Sequence, residues 1–180
     1  MNSPNANIFL ALQQRIAGLK DGTDRVYFRT VDHDLQQLNL EKPPVTFPCV
    51  LIGDFNFDFM QMSANTQTGK GSVTLKICFT PYSSSESKTP VEYLKKAINY
   101  YELEQLLHLA LQGWHPALME DNVDLLGNVA GSLNRIASRA MPRNDDIIVR
   151  QVTYSISIDD FSTKPIKGKV PRPAFVIAEE

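Results

Sequence analysis

Apolar residues recur at Ile8, Leu12, Ile16 and Leu19, a spacing that predicts one buried helix face over residues 3–20. Ser3, Pro4 and Asn5 offer cap and first-turn chemistry ahead of that stripe, and Asp21-Gly22 offers a stop. The stretch from Arg25 to Val31 is dense in β-branched and aromatic side chains and predicts a short strand. Residues 32–46 are polar and end in Pro43-Pro44, the pattern of a loop that runs extended.

The clearest alternation begins at Cys49. Val50 and Ile52 lead to a predicted bulge at Gly53, after which Phe55, Phe57 and Phe59 alternate with Asp54, Asn56 and Asp58. The period returns at Val73, Leu75, Ile77 and Phe79, set against Ser72, Thr74, Lys76 and Cys78. Together these predict a long β-hairpin with one buried face, closed by a loop over residues 60–71. Hairpin loops usually take about two to five residues, and longer ones are often functional.

Residues 81–88 read as a Ser-rich linker, and Thr89-Pro90-Val91-Glu92 presents a capping box with proline at the first helical position. Leu94, Ile98 and Tyr101 form one apolar stripe, and Leu103, Leu106, Leu107, Ala110 and Leu111 a second one rotated about the axis. That rotation implies either a kink near Glu102 or a helix buried on two sides. Residues 115–131 carry no clear period. Val129, Leu133, Ile136 and Ala140 have helical spacing while Arg135, Ala137 and Arg139 alternate, and we read this stretch as a strand. Ile148, Val152, Tyr154, Ile156 and Ile158 alternate with polar residues and predict a central or near-central strand. From Ser162 the composition turns to Lys, Pro and Gly, which predicts an extended arm over residues 162–180.

At 180 residues the chain suits one domain, here residues 1–161, with the arm attached. Hydrophobic residues at 43% and charged residues at 21% argue against a disordered polymer or a coiled-coil rod. With 18 basic and 20 acidic residues the net charge is −2, so no global basic field draws nucleic acid. Cys49 and Cys78 are too few for a disulfide framework and fit a reducing compartment. The longest apolar runs fall far short of the ~20 residues of a membrane helix, and the first residues lack the basic leader of a secretory signal.

The candidate constellations favour plain readings. Asp32-His33-Asp34 reads as a solvated turn, since adjacent side chains converge poorly on one ion. Cys49 and Cys78 lie in strands and read as buried thiols, not nucleophiles. Thr68-Gly69-Lys70-Gly71-Ser72 lacks the first glycine of a phosphate loop and reads as a flexible hairpin tip. Ser83-Ser84-Ser85 has no nucleophile-elbow context. Asp54, Asn56 and Asp58 are spaced too widely to fold around calcium and read as a wet outer face. We therefore expect no catalytic, cofactor or metal site. The expected partner-facing residues are Met60 and Met62, flexible and apolar, with Lys70 beside glycines that would let the loop rearrange on docking. In the arm they are Lys164, Lys167, Lys169 and Arg172, then Phe175 and Ile177 on one face of an apolar run over residues 174–178. That run would add as a strand to a neighbour's open sheet edge, or pack back on its own domain.

Taken in order, the helix around Ile8 to Leu19, the hairpin opening at Phe47-Pro48-Cys49-Val50-Leu51-Ile52 and the helix at Pro90 resemble the tail-terminator or tail-completion (neck) proteins of long-tailed bacteriophages and phage-like particles. Leu133-Asn134-Arg135-Ile136 and the strand from Asp145-Asp146-Ile147-Ile148 to Asp159-Asp160 complete the likeness, which spans residues 5–160 in element order and strand character. The resemblance implies an α+β fold, an antiparallel sheet flanked by an N-terminal and a central helix. It also implies a homo-oligomeric ring, typically hexameric, that caps the tail tube and joins it to the head-neck. No cofactor and no catalytic residue come with it. DNA would pass through such a ring without tight binding, and the subunit would reside in the virion after assembly in the host cytoplasm. The long helical pattern over residues 90–112 and the arm after Ser162 depart from that family's pattern.

Overall fold

The computed structural model describes residues 3–80, 84–116, 129–143 and 146–160. Helix α1 (Pro4–Ala17) starts on Pro4, whose fixed φ suits a first turn, and buries the predicted Ile8, Leu12 and Ile16. It ends at Gly18, ahead of the expected stop, because Asp21 builds its own turn. Asp21 Oδ1 accepts from the Thr23 hydroxyl (2.7 Å), Arg25 N–H (3.1 Å) and Thr23 N–H (2.8 Å), and these bonds hold its carboxyl below the usual range. The turn folds Lys20 onto Val26 as a single antiparallel bridge, so the strand expected over residues 25–31 is corrected: strand β1 is Thr30–His33. The aromatics that suggested a longer strand are packing groups, with Phe28 buried and Tyr27 against the core.

Strands β2 (Cys49–Ser63) and β3 (Thr66–Phe79) form the hairpin, and a register slip between Ile52 and Phe55 marks the bulge expected at Gly53. Strand β6 (Ile148–Asp160) pairs antiparallel with β3 along its whole length, from Phe79 opposite Ile148 to Gln67 opposite Asp160. Short β4 (Val129–Ala130) and β5 (Asn134–Met141) lie end to end on the other side of β6, so among the described residues six strands fill five rows, with β6 interior. Among the described strands, only β1 runs parallel to its neighbour, β2. The fold is α+β, as expected.

The helical stretch after the linker is two helices, α2 (Val91–Ala97) and α3 (Asn99–Leu111), broken at Ile98 and not kinked near Glu102. Pro90 occupies the cap position in an extended conformation and no side chain caps α2, so the Thr89 capping box does not form. The second apolar stripe is buried through Leu103, Leu107 and Leu111. The first is not, since Ile98 and Tyr101 are exposed.

One core joins α1 and α3 to a single face of the sheet. Ile8, Leu12, Ile16, Leu103, Leu107 and Leu111 meet Val50, Ile52, Val73, Leu75, Ile77, Val152, Tyr154, Ile156 and Ile158. The opposite face is covered near the strand roots, where Leu38 and partly buried Val45, Phe47 and Ile147 pack on Cys49, Leu51, Cys78 and Val149. Strands of 13 to 15 residues reach about 45–50 Å, whereas helices of 13 and 14 residues reach only about 20 Å. The helices cannot cover the sheet's far half.

That half overturns the loop expected over residues 60–71. Both strands continue through it and meet in a tight turn between Ser63 and Thr66, whose side-chain oxygens lie 2.6 Å apart. The glycines are not hinges. Phe57 faces Gly71 and Phe59 faces Gly69 across the pair, and a Cβ on Gly69 would sit 2.9 Å from the Phe59 ring and 3.2 Å from Ile158. A Cβ on Gly71 would collide with the Asn56 carbonyl oxygen and lie 2.7 Å from the Phe57 ring. Turn-like composition here makes room for rings laid across the neighbouring strand.

Gly71→Ala is expected to lose about 1–3 kcal/mol in urea unfolding, because the backbone oxygen it meets cannot rotate away. Gly22→Ala, with open space around the new carbon, is expected to stay within about 0.5 kcal/mol of wild type.

Candidate functional site

The far half of the hairpin carries the most exposed apolar side chains of the sheet. β1 stops at His33 opposite Ile52, and among the described residues no strand pairs with the outer edge of β2 from there to Ser63. Along that edge Phe55 stacks on Phe57 (6.1 Å, 12° between planes) and Phe57 meets Phe59 at 5.9 Å. Phe59 is 50% exposed, Met60 66% and Met62 65%. Asp54, Asn56 and Asp58 are exposed on the opposite face, as expected, and Lys70 stands opposite Asp58. Met60 and Met62 thus lie on β2 and Lys70 on β3, on paired strands in place of a loop. Lys164, Lys167, Lys169, Arg172, Phe175 and Ile177 lie outside the described residues.

At the root of this edge, Asp32-His33-Asp34 is not the solvated turn expected. His33 closes β1 with Nε2 3.0 Å from Asp54 Oδ1 and its ring edge-on to Phe9 at 5.5 Å, while Asp34 Oδ2 sits 2.6 Å from Lys76 Nζ. These contacts tie α1 and β1 to the bulge. Cys49 and Cys78 face each other across β2 and β3 and are fully buried. The hydrogen bond with Cys49, then burial, pushes the Cys78 thiol up, away from thiolate character.

Sequence reasoning missed a buried ionic cluster beneath α3. Glu104, only 8% exposed, accepts from Arg150 Nε at 2.7 Å and from the Ser138 hydroxyl, and Arg150 Nη2 donates to Ser138 Oγ at 2.8 Å. Burial opposes the Glu104 charge, but the bonds from Arg150 and Ser138 and the nearby Arg135 prevail and hold its carboxyl below the usual range. The Glu104 hydrogen bond in turn raises Arg150 against its own burial. Tyr154, with its hydroxyl buried in the core, is pushed up to about 12 by desolvation. His108 is lowered by burial and by Arg135. The signal was present: Glu104 stands three and seven residues before Leu107 and Leu111, and Arg150 shares the inward parity of Val152 and Tyr154. Through Glu104 the cluster ties α3 to Arg150 of β6 and Ser138 of β5.

Among the described residues, no three His, Cys, Asp or Glu side chains are gathered as metal ligands, and no helix is long and apolar enough to cross a membrane. No family model and no curated protein matches the sequence. Among solved structures, a chain from the virion of a native gene transfer agent (GTA) particle is similar, with a TM-score of 0.47 and 10% identity over 88% of this chain and 96% of that chain.

Glu104→Gln leaves Arg150 without its counter-charge and is expected to cost about 3 kcal/mol in denaturant unfolding at pH 7. Because the carboxyl is depressed in the folded state, its contribution is present above the ordinary Glu value and lost as pH falls through the lower folded one. The gap between wild type and variant should therefore narrow on acidification.

Proposed function

We propose that this protein is a structural assembly subunit of a phage tail or neck, a tail terminator or completion protein, working as a homo-oligomeric ring, hexameric by resemblance. The ring caps the tail tube and joins it to the head-neck connector, within the virion, after assembly in the host cytoplasm. The observation that carries the reading is the far half of the sheet, a projection of β2, β3 and β6 whose outer β2 edge pairs with no strand among the described residues and which exposes Phe59, Met60 and Met62. Long, open and apolar edges invite pairing with another chain, and proteins that remain monomeric usually blunt them. The ionic cluster supports the same reading from the inside, because its charged groups lock the core instead of opening to a substrate. The reading includes no cofactor and no catalytic residue. The residues that do its work are contact residues: Met60, Met62 and Lys70 on the projection, and Lys164, Lys167, Lys169, Arg172, Phe175 and Ile177 on the arm.

A ring that passes DNA must not hold it. The net charge of −2 limits attraction to phosphate and suits that task.

Light scattering coupled to size exclusion is expected to show a closed oligomer of this chain. A strictly monomeric particle at every concentration, with no attachment to tail tubes, would overturn the reading in favour of a small non-enzymatic adaptor or ligand-binding domain. In filter retention, duplex DNA should bind weakly and be released as salt rises. Tight retention persisting at high salt contradicts a passive channel.

A further inference from the structure

We propose that the outer edge of β5 in one copy, residues 136–141, pairs antiparallel with the outer edge of β2, residues 54–59, in the next copy, so that the sheet runs on from subunit to subunit around a ring. This rests on the oligomeric reading and names the contact that closes it.

Among the described residues the sheet has two unpaired edges, and they lie on opposite sides. β1 covers β2 only from Cys49 to Ile52. Beyond β6, β5 is the last row beside the strand roots, and no described strand pairs with its outer side. Gln112 Oε1 accepts from the Arg135 N–H at 3.0 Å, so the row left for a partner begins at Ile136, and Ser138 to Met141 are all exposed. Within one chain β3 and β6 stand between these edges, each paired on both sides, so β5 meets a β2 edge only on another copy. A contact between two different edges runs head to tail, and it makes a ring when its rotation closes. β2, β3, β6 and β5 alternate in direction, so copies turned about an axis along the strands bring β5 to β2 antiparallel.

One register satisfies both faces. With Arg139 opposite Asn56, the exposed guanidinium lies on the diagonals of exposed Asp54 and Asp58, a charge match across the contact. On the helix-side face Ser138 and Ala140 then stand opposite Phe57 and Phe55, small residues beside rings, as Gly71 stands beside Phe57 within the hairpin. Ile136, at the β5 register shift and 61% exposed, falls beside Phe59, 50% exposed. A slip of one residue would send Arg139 to the phenylalanine row instead.

The same register meets the geometry of closure. Within one copy Arg139 is level with Gln151, Lys76 and Leu51, whereas Asn56 faces Ser72, four rungs further along β3. Successive copies are therefore offset by about 14 Å along the strands, over four strand spacings of about 19 Å in all. That slope is a strand tilt of about 35°, within the range of about 35–45° at which sheets close into barrels.

The test uses the full chain, with its buried Cys49 and Cys78 retained, carrying both Asn56→Cys and Arg139→Cys and oxidised mildly. Inside one chain these positions are three strand spacings apart, about 14 Å, beyond the ~7 Å that a disulfide spans, so each bond must join two copies. A ladder of covalent multimers is expected, ending at the size of the ring, with none from either single variant. Asp54→Cys or Asp58→Cys in place of Asn56→Cys covers a slip of two residues. Separately, Arg139→Glu is expected to raise the concentration needed for assembly at least tenfold while the monomer unfolds as wild type does, and adding Asn56→Arg is expected to restore assembly. Covalent dimers from Asn56→Cys alone would pair two β2 edges and overturn the proposal. An intact oligomer with neither a ladder nor sensitivity to Arg139→Glu also overturns it, while leaving the ring reading in place. A wild-type chain that never oligomerises overturns both.

Discussion

The pairing of β3 with β6, unbroken from Phe79 opposite Ile148 to Gln67 opposite Asp160, is the constraint on which the rest of the molecule depends. It carries the sheet well beyond the reach of α1 and α3, so the two halves of one sheet must be stabilised in different ways. Near the strand roots the solution is helical burial, with Leu12, Ile16, Leu107 and Leu111 fully withdrawn from water. Toward the tip the sheet covers itself. Phe57 and Phe59 lie over Gly71 and Gly69, and this brings the Phe59 ring close to Ile158 two strands away. The outcome is a projection stiff enough to present side chains in fixed order, yet with half of Phe59 still in water.

The ionic cluster answers a related demand. A short α3 whose partner helix α2 breaks away at Ile98 has little length over which to set its register on the sheet. Apolar contacts between Leu103, Leu107, Leu111 and flat β-branched neighbours are non-directional, whereas Glu104 meeting Arg150 and Ser138 is geometrically strict. The Arg150 guanidinium also lies 5.8 Å from the ring centre of Tyr101, which links the exposed start of α3 to the same anchor. Withdrawing charge from water gains little stability by itself, and the cluster's effect is to fix one arrangement of helix on sheet.

Much of this was legible in the sequence. The stripe of Ile8, Leu12 and Ile16, the bulge at Gly53 and the interior parity of Val152 to Ile158 all follow from period, and period is what burial imposes; over residues 129–140 the helical and alternating spacings coexist, and the strand reading there holds for β4 and β5. The failures have separate causes. Residues 60–71 carry turn-like composition, but that composition answers to rings on the adjacent strand, a contact across the pair that no local window contains. The strand expected over residues 25–31 gave way to a side-chain turn at Asp21, and the Thr89 box to an extended Pro90. Of the candidate interface, Met60, Met62 and Lys70 were found for their chemistry but assigned a loop. They lie instead on strands whose length only the β3–β6 pairing reveals.

The central claim is that the helices build the core while the far half of the sheet builds the assembly. Electron cryomicroscopy of the assembled oligomer tests it directly. The account predicts subunit contacts concentrated on residues 54–63 and on the exposed Phe59, Met60 and Met62. An assembly whose subunits meet through α2 and α3, with the projection bare in solvent, would contradict it.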